Sequence, residues 1–246
     1  MEDSDSLIGF YERAYSHEGP EADKYARWRA LSAVAKADHV TALCARVELS
    51  PASTLDVGCG DGALLVELSR RGFGGTLAGM EISEPAAEIA RRALPDARIG
   101  IFDGTTLPLA GGSCELGILS HVLEHVPDPP ALLAETARVC RTVVFEVPLE
   151  ENVSARRPAK REQAEEIGHL QRLSREDARR IATDAGLTVV AETQDALPLE
   201  VHRFYAEGRA RRAAASAKWA VRAGLDLLVP GVARRAFTVH YAALCR

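Results

Sequence analysis

The stretch Leu55-Asp56-Val57-Gly58-Cys59-Gly60-Asp61-Gly62 constrains what this chain can fold into more than any other. An apolar run meets an acid and then a loop holding three glycines. Ala63-Leu64-Leu65-Val66-Glu67-Leu68 follows and reads as the opening of a helix. Glycine permits the turn dihedrals and lets a ligand lie against bare backbone. The helix start directs unpaired N–H groups and a partial positive charge at whatever is bound. A strand, a glycine turn and a helix N-terminus together predict a nucleotide-type ligand site. As a bare pattern the loop stays open. Gly58-x-Gly60-x-x-Ala63 with Glu81 about twenty residues on also fits a dinucleotide fingerprint and an oxidoreductase that uses NAD.

The flanking sequence alternates strand and helix patterns. Strands are predicted at 54–57, 76–80, 98–102, 115–120 and 142–147, with later ones at 187–192 and 238–244. Helices are predicted at 63–71, 85–94, 130–139 and 175–185. Ser83 or Glu84 caps the second of these, and Ser174 caps the last, with Glu176 and Asp177 in its first turn and Gly186 as its stop. Thr142-Val143-Val144-Phe145-Glu146-Val147 is nearly continuous in apolar character, as a parallel strand covered on both faces requires. The expectation is an α/β fold, a doubly wound and mostly parallel sheet with its ligands at the carboxyl ends of the strands. Before it, residues 7–49 read as helical, with Leu31, Val34, Ala35, Val40, Leu43 and Val47 near a 3.6-residue period. The predicted organisation is a helical cap over 1–49, a ligand-binding core over 50–193, a helical insertion over 194–237 and a last strand over 238–246. Residues 150–167 read as a polar connection or short helix. The Ala- and Arg-rich run 197–236 reads as one or two helices with a solvated cationic face.

Composition narrows the class. The 246 residues suffice for one sizeable α/β domain with appendages, and 47% hydrophobic with 26% charged residues is ordinary for a globular protein. A net charge of −5 argues against nucleic acid as partner. No apolar run spans a bilayer, and the acidic start Met1-Glu2-Asp3-Ser4-Asp5 is unlike a signal peptide, so the expectation is a cytoplasmic protein with no integral membrane segment. The five cysteines include no C-x-x-C pair, which argues against a disulfide framework or zinc site. Cys59 reads as a small residue fitting a tight turn.

Two further acids sit where a cofactor would meet them. Glu81 closes the second strand and can accept from ribose hydroxyls. Asp103 closes the third and can accept an adenine amino group. Three acids, Asp56, Glu81 and Asp103, in or after three consecutive strands are a constellation rather than three solvated turns. On these residues, with Leu107-Pro108-Leu109, Ser120-His121-Val122-Leu123-Glu124-His125-Val126, Gly168-His169-Leu170 and Ala185-Gly186-Leu187, the chain resembles the class I S-adenosylmethionine-dependent methyltransferases of the small-molecule, UbiE-like group. The resemblance covers about residues 50–193. It implies a seven-stranded sheet with an antiparallel last strand, and S-adenosyl-L-methionine as cofactor with S-adenosyl-L-homocysteine as product. It also implies that Asp56, Gly58 and Gly60 hold the methionine end, Glu81 the ribose and Asp103 the adenine, with Cys59, Ile82, Gly104 and Ser120 as further cofactor-binding residues. Tyr15 and Arg29 are candidate lid residues, the arginine able to pair a carboxylate. The dinucleotide reading assigns no task to Asp103.

Methyl transfer needs an aligned nucleophile, and an oxygen acceptor is helped by a base. His169 and His121 are the first candidates. His121-Val122-Leu123-Glu124-His125 formally matches an H-x-x-E-H metal signature, but it follows a strand of a cofactor sheet and Pro127, Pro129 and Pro130 crowd it, so no metal is expected and Glu124 and His125 read as structural. The expected partners are a small-molecule acceptor and a second copy of the chain. The alternatives are a non-catalytic or regulatory S-adenosylmethionine-binding protein, and a methyltransferase acting on tRNA or protein.

Overall fold

The computed structural model describes residues 9, 11, 12, 15, 16, 19–195 and 198–246. Expectations that fall on residues 1–8, 10, 13, 14, 17, 18, 196 and 197 lie outside them. In chain order the elements are α1 (Pro20–Arg46), β1 (Ser53–Val57), α2 (Ala63–Arg70), β2 (Thr76–Glu81), α3 (Glu84–Ala93), β3 (Arg98–Ile101) and β4 (Cys114–Ser120). A 3-10 turn (Leu123–His125) leads to α4 (Pro129–Val139), β5 (Cys140–Leu149), α5 (Pro158–Glu166), α6 (Arg175–Asp184) and β6 (Val189–Asp195). Then come α7 (Leu199–Arg203), α8 (Gly208–Leu228), α9 (Pro230–Ala236) and β7 (Val239–Cys245). The seven strands form one sheet in the order β3-β2-β1-β4-β5-β7-β6. All pairings are parallel except those of β7, which runs antiparallel to both β5 and β6. The fold expected from the alternation is therefore present, with its reversal of strand order between β1 and β4, where ligands of such sheets bind.

Period-two alternation of side chains divides two cores across the sheet. Leu119 of β4, with Val143, Phe145 and Val147 of β5, faces Leu132 and Leu133 of α4 and Ala178 and Ile181 of α6. Ile118, Val144, Ala242 and Leu244 face the other way, onto Ala37, Val40, Leu43 and Cys44 of α1 and Leu64 and Leu68 of α2. Glu146 is two residues beyond Val144 on β5 and shares its face. A carboxylate thus lies buried between the sheet and α1, where His39 meets it.

Helix ends follow the capping residues. Ser83 accepts from Ala86 N–H, and Ser174 forms a reciprocal box with Asp177. The helical stripe of α1 differs from the periodicity expected from Leu31 and Val34. Val34 is exposed, and the small Ala33 and Ala37 are buried instead, Ala33 lining the cleft and Ala37 packing in the core beneath the sheet. The run 197–236 forms three helices rather than one or two, Pro230 opening the third. β6 begins two residues later than expected, since Gly186 ends the helix in a left-handed turn and Leu187 N–H still bonds back to Ala182. No helix among the described residues is long and apolar enough to cross a membrane.

Candidate functional site

The glycine loop is tied down by backbone hydrogen bonds. Gly58 and Cys59 N–H both donate to the Met80 carbonyl at 2.7 and 3.2 Å, so the loop is laid across the end of β2. Gly58 and Gly60 have φ of 74° and 56°, left-handed values that L side chains rarely adopt. Each is also too close to a neighbour for a Cβ: one on Gly60 would stand 2.7 Å from the Tyr15 hydroxyl, one on Gly58 2.6 Å from Val122 Cγ2. The bare loop is the floor of a cleft at the carboxyl ends of β1, β2 and β4.

Glu81 closes one wall. Its carboxylate is 4% exposed, accepting Gly60 N–H at 2.8 Å and Ser83 N–H at 3.1 Å. Burial raises its pKa against the opposing pull of those N–H groups. Asp56, buried within β1, is pushed up to about 7 by burial, an effect that Lys36 counters and Glu81 reinforces. Ile82, Phe102 and Gly104 continue this wall.

The opposite wall comes from the N-terminal segment. Trp28, Ser32 and Lys36, spaced by four on one face of α1, line the cleft together with Tyr11, Tyr15 and Arg29. Arg29 donates from Nε to Asp61 at 2.6 Å, and its guanidinium stacks 4.8 Å from the Tyr15 ring centre, so α1, Tyr15 and the loop are clamped together. Two hydroxyls facing the cleft, Ser32 Oγ and Ser120 Oγ, are buried without a hydrogen-bond partner. Buried polar atoms are ordinarily satisfied, so these are groups for a ligand to engage. Bare backbone, buried acids and unsatisfied hydroxyls fit an adenosyl amino acid as the occupant.

The far end of the cleft is histidine-rich. His121 follows β4 at φ 59°, a strained value for a non-glycine residue. Its Nδ1 lies 3.1 Å from Glu124 Oε1, and its Nε2 lies 3.3 Å from Glu146 Oε1 and 3.2 Å from His240 Nδ1. His125 also lines the cleft.

Of the residues singled out from the sequence, Tyr15, Arg29, Asp56, Gly58, Cys59, Gly60, Glu81, Ile82, Gly104, Ser120 and His121 line this one cleft. Two do not. Asp103 is exposed beside it, its Oδ1 accepting from Thr105 N–H, Thr105 Oγ–H and Thr106 N–H, which caps its own turn. His169 lies behind His125, edge-on at 4.8 Å between ring centres, with Nδ1 on Glu150 at 2.8 Å. Tyr11 and Trp28 belong to the N-terminal aromatic cluster, with Tyr15, Tyr25 and Arg29, that the sequence offers as a cofactor cap, whereas Ser32, Lys36 and His125 do not follow from the sequence reading; for Ser32 and Lys36 the spacing of four from Trp28 is the available signal. The cationic run behaves as expected for a solvated face: Arg209, Arg211 and Arg212 are exposed.

A family profile described as "Methyltransferase domain" matches residues 25–192. The chain belongs to this methyltransferase-domain family. Among curated relatives, nocamycin O-methyltransferase of Saccharothrix syringae is 40% identical over 93 residues, which are 35% of this chain and 33% of that one. Ubiquinone biosynthesis O-methyltransferase of Thiobacillus denitrificans is 32% identical over 101 residues, 39% of this chain and 43% of that one. The chain thus spans about a third of the first of these relatives and under half of the other. Among solved structures, geranyl diphosphate C-methyltransferase from Streptomyces coelicolor A3(2) superposes with a TM-score of 0.66 at 15% identity, covering 100% of this chain and 97% of that one. A [4+2]-cyclase, SpnF, shares the fold with a TM-score of 0.55 at 18% identity, covering 79% and 74%. The methyltransferase-domain profile ends within β6, so α7–α9 and β7 lie beyond it.

Proposed function

We propose that this chain binds S-adenosylmethionine in the cleft and transfers its methyl group to a small-molecule acceptor. The observation that carries the reading is the bare Gly58–Gly60 floor facing buried Glu81 with two unsatisfied hydroxyls nearby. When bound, S-adenosylmethionine supplies an electrophilic methyl on a sulfonium. Asp56 and the loop N–H groups take the amino-acid end. Glu81 accepts from the ribose hydroxyls while still holding Gly60. Ile82 and Phe102 wall the adenine, with Asp103 at the rim. His121, the histidine after β4 that faces the cleft, takes a proton from an acceptor hydroxyl, and Glu124 and Glu146 stabilise the imidazolium that forms. The O-methyltransferase relatives favour an oxygen acceptor.

The test is calorimetry with S-adenosylhomocysteine followed by a screen of phenols, enols and amines for its release. Absence of binding defeats the proposal. Binding with no acceptor turned over favours the second reading, a cofactor-binding protein without methyl transfer, which the shared fold of a cyclase keeps in view. His121→Ala is expected to lower kcat by about 10²–10⁴-fold with S-adenosylhomocysteine affinity kept. A normal rate removes His121 as base.

Asp56 adds a pH signature. Below about pH 7 it is largely protonated. A ligand carrying an ammonium and a sulfonium favours the ionised form, so binding at pH 6 is expected to release a proton and to tighten as pH rises toward 8. Calorimetry in two buffers of different ionisation enthalpy measures this, and equal heats would remove the Asp56 assignment.

We further infer a cytoplasmic setting, a homodimer and no nucleic-acid partner. Five free cysteines support the first. Exposed Leu227, Leu228 and Val232 on α8 and α9 support the second, which sedimentation velocity tests. The acidic balance supports the third. The division at residues 49, 193 and 237 is carried as part of this reading.

A further inference from the structure

Behind the cleft, Glu124 is completely buried and neither of its carboxylate oxygens has a hydrogen-bond partner. The 3.1 Å approach of His121 Nδ1 is close enough for an ion pair but lacks hydrogen-bond alignment. A buried carboxylate compensated by one imperfectly aligned imidazole still has room for a further cationic partner. Two imidazoles stand beside it. His125 donates from Nδ1 to the Gly168 carbonyl at 3.0 Å, and His169 donates from Nδ1 to Glu150 at 2.8 Å. With Nδ1 so engaged, Nε2 is the second nitrogen of each ring, and that of His125 faces Glu124. One ligand atom from each of Glu124, His125 and His169 falls within 4.8 Å of the others, and Glu124 Oε1 is 3.9 Å from His125 Nε2. Donor atoms about 2.0–2.1 Å from a tetrahedral first-row ion stand about 3.3 Å apart, so closure draws the donors together by up to about 1.5 Å.

The arrangement is held by backbone as well. The Glu124 carbonyl accepts Leu170 N–H at 2.9 Å and Gln171 N–H at 3.2 Å, which anchors the segment carrying His169 beside the 3-10 turn. A carboxylate or carbonyl behind each histidine is the usual outer shell of a metal site.

We propose that Glu124, His125 and His169 bind a divalent first-row transition ion, such as Zn²⁺, Mn²⁺ or Fe²⁺, at the inner end of the cleft. Two imidazoles and one carboxylate suit these ions rather than Mg²⁺ or Ca²⁺, which take oxygen ligands. The site replaces the sequence expectation of no metal and of His169 as base. A second cluster, His121, Glu146 and His240, is also compact. Its atoms are accounted for by hydrogen bonds to Glu146, whereas those of Glu124 are not. On the methyl-transfer reading, and only on it, the ion's open positions would receive an acceptor with an ionisable oxygen, a phenol or enol, and hold it as the anion.

The test needs no substrate. Full-length, tag-free protein is stripped with chelator and titrated with Co²⁺ and with Zn²⁺. One equivalent is expected to bind, Co²⁺ giving ligand-field absorption. Glu124→Gln and His169→Ala are expected to weaken binding by about 100-fold, the upper range for loss of a metal-site group. His240→Ala is expected to leave it within about threefold, since loss of a residue outside the ligand set and its outer shell removes no donor. Zn²⁺ should raise the thermal midpoint of the wild type and not of Glu124→Gln, whose near-isosteric amide keeps the fold. No binding by the wild type, retention in Glu124→Gln, or a loss in His240→Ala as large as in Glu124→Gln each overturns the proposal. S-adenosylhomocysteine affinity, measured on the same samples, tests the cofactor reading separately.

Discussion

Glu146→Ala is expected to destabilise the protein by about 3–5 kcal/mol, the usual consequence of breaking a buried charge network at one partner. For a chain of this length that lowers the thermal midpoint by roughly 6–20 °C. The reason is convergence. Glu146 is 2% exposed, and three histidines from three elements meet its two oxygens: His39 of α1 at 3.2 Å, His121 after β4 at 3.3 Å and His240 of β7 at 3.1 Å. The opposing tendency of burial is overcome by these imidazoles, which hold the Glu146 pKa well below the ordinary value. His39, paired also with Asp195 at 2.9 Å, is held up at about 10 although burial alone would lower it. The pH dependence follows. The stabilisation from charged His39 is complete below its unfolded pKa of about 6.5 and is lost as pH rises through about 10. That from Glu146, whose pKa is depressed, is present above its unfolded value of about 4.5 and lost as pH falls below it. Thermal melts of wild type and Glu146→Ala between about pH 3 and pH 11 check both points. A midpoint within about 2 °C of wild type at pH 7, a shift worth under about 1 kcal/mol, would show the network to be energetically neutral.

The second large effect is on the cofactor. Glu81→Ala is expected to weaken S-adenosylhomocysteine by about 100-fold, the equivalent of two hydrogen bonds to a charged acceptor at about 1.5 kcal/mol each. Truncation also frees Gly60 N–H and Ser83 N–H, so the loop loses the group that holds it across β2. Calorimetry reads the affinity, and melts confirm that the apo protein stays folded. Unchanged affinity would remove Glu81 from the ribose site.

Legibility divided along a physical line. The loop residues Asp56, Gly58, Cys59 and Gly60, and the strand-terminal Glu81, Ile82, Gly104, Ser120 and His121, were identifiable because a parallel sheet delivers the end of each strand to one crevice. Asp103 obeyed the same rule in sequence, yet its carboxylate turned back to cap the following threonines, a local option open to any Asp in a turn. Ser32 and Lys36 are not legible in the sequence because their pattern, a spacing of four, is the ordinary pattern of a packed helix.

His169 marks the other boundary. Its residue type and place after β5 suggested a base, but the packing of segment 168–171 on the Glu124 carbonyl set it behind His125. The glycine turn, the strand alternation and the helix caps are short-range demands of backbone geometry and hydrogen bonding, so the sequence by itself determined them, and with them the methyltransferase fold and its cofactor crevice. The meeting of Glu124 and its neighbour His125 with His169, and that of Glu146 with His39, His121 and His240, join residues dozens to more than a hundred positions apart. Only the tertiary structure decided those meetings, because they depend on which faces of α1, β5 and β7 are pressed together, and no local pattern records that.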